Sequence, residues 1–188
     1  ATIECLPTGQ PTDRGFRIEV VRDRSGVTPV TTWTLETGDT ALPCSALAPY
    51  SDAMAMLGNE ATFSGMMRWS IEPDGWWVDL STSRFDQVDL ARVFQRLPHQ
   101  LTGDASLRFR RGMIRPGKTV DVIAELRAKE GFVGTSLLAS MQRDLGMTVV
   151  TDTTSARPVP YDHLAMQFQI FGAKMTLDGI CRTEQGYE

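Results

Sequence analysis

The octapeptide Gly112-Met113-Ile114-Arg115-Pro116-Gly117-Lys118-Thr119 fits G-x-x-x-x-G-K-[ST], the loop that holds nucleotide phosphates in many hydrolases. That chemistry needs glycines so that backbone N–H groups wrap the phosphates, a lysine for the β- and γ-phosphates, and a hydroxyl for Mg²⁺. The stretch from Gly146 to Asp152 even offers an apolar strand ending in a metal-binding carboxylate. The context argues against the site. A phosphate loop follows a strand buried on both faces, yet Arg108 and Arg110 flank Phe109. Pro116 removes an N–H donor from the middle of the cradle. Arg115-Pro116-Gly117 reads instead as a hairpin turn.

The remaining candidates are weaker. Glu72, Asp74 and Asp79 are a conceivable glycosidase pair with a spare, but Pro73-Asp74-Gly75 alone explains Asp74 as a turn residue. Asp162 and His163 are sequence neighbours, and a base and its orienting carboxylate need a facing geometry that adjacency does not supply. His99 follows Pro98 in a connector. No spacing of His, Cys and carboxylates suits zinc or calcium, so neither metal nor cofactor is expected. Cys5, Cys44 and Cys181 are too far apart in sequence for C-x-x-C chemistry; three buried thiols, or one disulfide and one free thiol, both satisfy the count. Trp76 and Trp77 are strand neighbours and point to opposite faces. The reading places one in the core and the other under a helix or turn. If the sheet is covered on one side only, one of them is an exposed contact for a partner, lipid or sugar.

These residues sit on elements that the alternation of apolar and polar positions defines. The unit between Gln100 and Gly146 is the clearest. Ala105, Leu107 and Phe109 alternate with polar residues, a turn follows, and Val122, Ala124, Leu126 and Ala128 alternate on the return. Thr135 or Ser136 then caps a helix lined by Leu137, Leu138, Met141 and Leu145, and Gly146 closes it in the left-handed conformation. The same order appears earlier. Phe16, Ile18 and Val20 pair with Val30 to Leu35, followed by a helix stripe of Leu47, Tyr50, Met54 and Leu57. Phe63 to Ile71 and Trp76 to Leu80 flank Glu72-Pro73-Asp74-Gly75, a strong hairpin turn. Asp89 or one of its neighbours starts a helix that carries Leu90, Val93, Phe94 and Leu97 on one side and stops at Pro98. After a polar loop from Asp152 to Pro160, Leu164 to Ile170 and Met175 to Leu177 form a last hairpin with no helix after it.

The chain has 188 residues, 41% hydrophobic and 22% charged, with a net charge of −4. Those values suit one globular domain over residues 1–188. They provide no basic field for a phosphate backbone, so nucleic acid is not an expected partner. Arg108, Arg110, Arg111, Arg115 and Lys118 read as a solvated strand face and turn. No run is long and apolar enough to span a bilayer, and the opening ATIECLP has no signal-peptide core. Strand-like sequence at both ends suggests a piece of a longer protein.

The motif L-x-G-x-A-x-L-x-F-x-x-G at Leu101 to Gly112, the phrase FDQVDLARVF at Phe85 to Phe94, and YDHLAMQFQIFGAKMTLDGIC at Tyr161 to Cys181 resemble the C-terminal β-repeats of AsmA-like and TamB-like bacterial envelope proteins. The resemblance spans Phe63 to Cys181. It implies a periplasmic or envelope-associated chain anchored by a segment outside this one, with an apolar-lined sheet that moves or organises lipid between membranes. Its implied partners are other envelope domains or subunits, and lipid. The chain is shorter and more helical than such a groove, which points to a terminal or interaction domain.

The expected fold is therefore mainly β, a β-rich α+β arrangement: a curved, largely antiparallel sheet built from repeated strand-strand-helix units. The expected function is non-catalytic, as a scaffold or in binding apolar chains. Phe168, Ile170, Met175 and Leu177 are the expected rim of an apolar opening, with Trp76 and Trp77 as further contacts. The alternatives are a phosphate-loop nucleotide hydrolase and an exported carbohydrate-binding β-sandwich.

Overall fold

The structure, a computed structural model, describes residues 2–5, 15–146, 148, 149 and 157–182. The loop expected at Asp152 to Pro160 and the Asp152 carboxylate lie largely or wholly outside them. The fold is mainly β: of the described residues 57% are strand and 17% helix. The strands are β1 (Thr2–Cys5), β2 (Phe16–Asp23), β3 (Val30–Pro43), β4 (Thr62–Glu72), β5 (Gly75–Asp79), β6 (Arg84–Asp89), β7 (Asp104–Arg115), β8 (Thr119–Ala128), β9 (Gly131–Val133), β10 (Val159–Tyr161), β11 (His163–Phe171) and β12 (Lys174–Arg182). The helices are α1 (Asp52–Met56), α2 (Leu90–Phe94) and α3 (Thr135–Leu145).

Ten strands form one antiparallel sheet in the order β1-β2-β3-β4-β5-β7-β8-β11-β12, with β6 also between β4 and β7. Spatial order thus follows chain order, as alternating polarity and tight turns favour. Both hairpins read from alternation form: Trp69 faces Val78, and Phe109 faces Ala124. Strands β5 and β6 are two halves of one strand. Val78 faces Ile114 and Phe85 faces Leu107 in a common register, interrupted at residues 80–83. β9 and β10 make a separate two-stranded ribbon.

The interruption belongs to a seam that crosses four neighbouring strands. β3 is irregular between Glu36 and Leu42, and β7 between Phe109 and Arg111. Gly65 of β4 has φ +102°, where only glycine is comfortable. Buried polar groups are satisfied along this line. Gly65 N–H donates to Thr37 Oγ1 at 3.0 Å, and Ser83 Oγ donates to the Met66 carbonyl at 2.6 Å. Bulges of this kind bend a sheet and increase its local twist.

Register places Phe16, Ile18, Val20, Trp33, Leu35, Met67, Trp69, Val78, Phe85, Leu107, Phe109 and their partners on one face, and charged or polar residues on most of the other. Phe63, Phe85 and Phe109 form a ladder across β4, β6 and β7, with centroids 5.3 and 6.1 Å apart. Each such buried ring stabilises by roughly 1.5–3 kcal/mol.

The helices differ from expectation at their ends. The stripe from Leu47 to Leu57 is not one helix but two 3₁₀ turns, Cys44–Ala46 and Ala48–Tyr50, followed by α1. Extended Ser51 breaks the run, and Pro49 fits only a first turn. α2 is capped by Asp89, whose carboxylate accepts from the N–H groups of Ala91 and Arg92. It ends at Phe94, so Leu97 is exposed rather than core-facing. α3 is capped by Gly134, not by Thr135 or Ser136. It closes at left-handed Gly146, and Leu145 points outward.

Candidate functional site

The topology fixes which residues meet. Every neighbouring pair in the main sheet is antiparallel, so the turns after β2, β4, β7 and β11 lie along one rim. α1, α2 and the β9-α3-β10 excursion follow β3, β6 and β8, and lie at the opposite end. The helices cover the apolar face from that end only. α1 and α2 have five residues each, about 7.5 Å of helix. The eleven residues of β4 span about 36 Å. Short helices at one end cannot reach the rim.

Exposure along the apolar face follows from that. On β4, Phe63 is 0% exposed, Met67 8% and Ile71 61%. On the next strand Phe85 and Val88 are buried, Val78 is half-buried, and Trp76 is 50% exposed. On β11, Leu164 is buried while Phe168 and Ile170 are half-buried. The Trp33 and Trp69 rings stack at 5.9 Å with planes 7° apart, and both are half-buried. The candidate site is this uncovered apolar band next to the rim.

Phe168, Ile170, Met175 and Leu177 all face into it. Phe168 lies opposite Ala124 and Leu177, and Ile170 opposite Val122 and Met175. Met175 is exposed and Leu177 half-buried. Trp76 and Trp77 separate as adjacent strand residues must. Neither is in the core, because the helices end too far away. Trp76 projects from the apolar face beside Ile71. Trp77 lies on the polar face, where its Nε1–H donates to Glu72 Oε1 at 2.8 Å.

The residues with enzymatic promise meet at the rim and neutralise one another. The 112–119 segment is a β-hairpin, with Gly112 and Arg115 in β7, Thr119 in β8, and Lys118 N–H donating to the Arg115 carbonyl. No helix begins at Lys118, so the phosphate-cradle geometry is not formed. Lys118 pairs with Asp74, and Arg115 with Glu72 and Asp74. The Lys118 ammonium holds the Asp74 carboxyl below the usual carboxylate range. Asp79 accepts from Ser81 N–H. The arginine-rich face is likewise paired: Arg110 with Glu125 and Arg111 with Asp121.

At the helical end, a cavity of about 350 Å³ is lined by Leu97, Pro98, His99, Gln100, Gly134, Thr135, Ser136 and Pro158. It joins His99 Nδ1 to Ser136 Oγ at 3.3 Å, a contact between residues 37 apart that no local motif announces. Among the described residues no carboxylate hydrogen-bonds to the His99 ring. Asp144 is hydrogen-bonded to Arg143. Among the described residues the pair thus has no orienting third group of the kind that nucleophilic catalysis needs. His163 opens β11 and is half-buried.

Cys44 and Cys181 are free thiols. Burial pushes the Cys44 thiol up to about 11 and also raises that of Cys181. The Cys5 side chain lies outside the described residues. Among those described, no group of three His, Cys or carboxylate residues could hold a metal ion. Among the described residues no helix is long and apolar enough to cross a membrane. The ten strands of the main sheet are hydrogen-bonded in one continuous sheet. The chain matches no protein-family model, no curated protein and no solved structure.

Proposed function

We propose that this chain is a non-catalytic binding and scaffolding domain whose apolar sheet face receives apolar chains, such as lipid acyl chains, in the band that the helices leave uncovered. In this reading the three strand-strand-helix segments are copies of one unit. Their aligned bulges curve the sheet so that the apolar side is concave. The setting is the bacterial envelope, with adjoining envelope domains as further partners, in keeping with the AsmA-like resemblance.

One observation carries the reading: an apolar face that grows wetter from the helical end to the hairpin rim. Leaving such a face in water forgoes roughly 25 cal/mol for each Å², so a ligand or partner that covers it is favoured. Ile71, not a polar donor, is the cross-strand neighbour of Trp76. This favours an apolar ligand over a sugar.

The test is mass spectrometry of gently extracted protein for co-purified lipid, with Phe168→Asp and Ile71→Asp alongside. Both variants are expected to lose lipid, and Ile71→Asp should do so with the fold intact because Ile71 is already exposed. Protein that carries no lipid and fails to bind a fluorescent fatty acid would overturn the lipid reading.

A further inference from the structure

The hairpin rim has an arrangement that binding on the sheet face does not explain. Six of the large apolar side chains that the structure exposes lie at or beside its turns: Val21 and Val27 at the first, Ile71 and Trp76 at the second, Phe171 and Met175 at the fourth. Val27 is fully exposed at the tip of its turn, and Phe171 is 71% exposed. They belong to both sides of the sheet. Ile71, Trp76 and Met175 end the apolar face, whereas register puts Val21 and Phe171 on the polar face, level with Thr32 and Asp121. A ligand on the apolar face would touch only the first group.

The charges of the same turns also differ from those of the whole. Arg22, Arg24, Arg115, Lys118 and Lys174 stand against Asp23, Glu72, Asp74 and Asp121, five cations to four carboxylates in a chain whose net charge is −4. Glu72 and Asp74 are already paired with Arg115 and Lys118. Successive hairpins are two strand spacings apart, so the four turns run over about 30 Å.

We propose that this rim docks on an anionic lipid bilayer, with Val27, Trp76 and Phe171 entering the interface. Separate apolar tips on a line suit a flat, deformable surface, which receives each of them without matched pockets. Tryptophan prefers the boundary between headgroups and acyl chains, where its ring is apolar on one side and wet on the other. A surplus of cations draws the rim to anionic headgroups. A second copy of the rim fits less well, because like-charged turns would then face one another. The inference goes beyond the apolar-chain reading and does not need it, since the residues at stake are rim tips rather than the band.

The probe is sedimentation with vesicles of phosphatidylcholine, alone or mixed with phosphatidylglycerol. The wild type is expected to sediment with the mixed vesicles, less with phosphatidylcholine alone, and less as salt rises. Val27→Asp with Phe171→Asp should lower the partition coefficient at least about tenfold, two apolar side chains being withdrawn from the interface. Both positions are exposed, so circular dichroism should be unchanged. Phe132→Asp, an exposed site away from the rim, should leave binding as it is. Trp76→Phe should remove the quenching of tryptophan emission by brominated acyl chains. Absence of sedimentation with either vesicle overturns the proposal. So does equal loss in Phe132→Asp, or a dimer that the double variant dissolves without vesicle binding in the wild type. Lipid that still co-purifies with a double variant unable to bind vesicles would leave the apolar-chain reading standing and confirm that the rim acts separately.

Discussion

Gly65→Ala tests the bulge seam that crosses β3, β4, the β5–β6 junction and β7. A Cβ at Gly65 would lie 2.3 Å from the Thr82 carbonyl oxygen, 3.3 Å from its carbon and 3.4 Å from the Ser83 Cα. All three are backbone atoms, so no flexible side chain can yield. Residues 80–83 would have to retreat by about 1 Å to reach ordinary contact. That retreat stretches the Ser83–Met66 bond, and any compensating shift of β4 stretches Gly65–Thr37. A buried polar group left unmet costs about 1–3 kcal/mol, and a non-glycine residue at φ +102° adds about 1–3 kcal/mol. The expected loss is roughly 2–6 kcal/mol. Gly38→Ala is the control. Gly38 also has positive φ, +54°, but an added Cβ there meets nothing within 4 Å. It should lose only about 1–2 kcal/mol. With a urea m-value of about 2 kcal/mol/M, mid-range losses of about 4 and about 1.5 kcal/mol put the two midpoints about 1 M apart. Urea unfolding followed by circular dichroism and by emission of the stacked Trp33–Trp69 pair would show this. Coincident midpoints for the two variants would refute the close approach and, with it, the view of β5 and β6 as one strand broken at the seam.

Two further expectations follow from ionisable groups. Burial raises the Cys44 thiol from 9.0 to about 11 and the Tyr161 phenol from 10.0 to about 12. In both cases the folded state favours the neutral form, so this stability is complete below the unfolded pKa and lost as pH rises through the folded one. The urea midpoint should therefore begin to fall near pH 9 and keep falling towards 12, with a shallower decline in Tyr161→Phe; a flat profile over that window would contradict the burial. Lys118→Ala should fold with an unchanged urea midpoint, because its pair with Asp74 is solvent-exposed. It should also match the wild type in showing no saturable Mg²⁺–ATP binding by calorimetry. Micromolar nucleotide affinity that Lys118→Ala abolishes would mean that the 112–119 segment leaves its hairpin.

Much of the sheet was legible because strand geometry is local. Successive side chains point to opposite faces, so the alternation in 61–71, 105–109 and 122–128 assigns each residue to its face without knowledge of the partner. Glu72-Pro73-Asp74-Gly75 and Arg115-Pro116-Gly117 mark hairpins for an equally local reason, the dihedral angles those residues favour. Left-handed Gly146 and the Asp89 cap are of the same kind. The strands β6, β9 and β10 were not legible. β9 and β10 have three residues each, and β6 carries its buried Phe85 and Val88 three apart across an irregularity. Neighbouring strands supply their pairing, and no pattern within them does.

The site divides in the same way. That Phe168, Ile170, Met175 and Leu177 share a face follows from alternation, and so does the opposition of Trp76 and Trp77. Whether that face is covered does not, because cover depends on where helices from other parts of the chain come to rest. Only the meander topology puts all three helices at one end and four turns at the other, leaving Ile71 and Trp76 in water while Phe63 and Phe85 are sealed. Likewise, Lys118 and Asp74 are 44 residues apart, and two neighbouring hairpins had to align before the lysine of a phosphate-loop motif became half of an ion pair. Chirality and side-chain polarity act within a few residues and are written in the order of the chain; burial and charge pairing are sums over neighbours that only the folded sheet assembles.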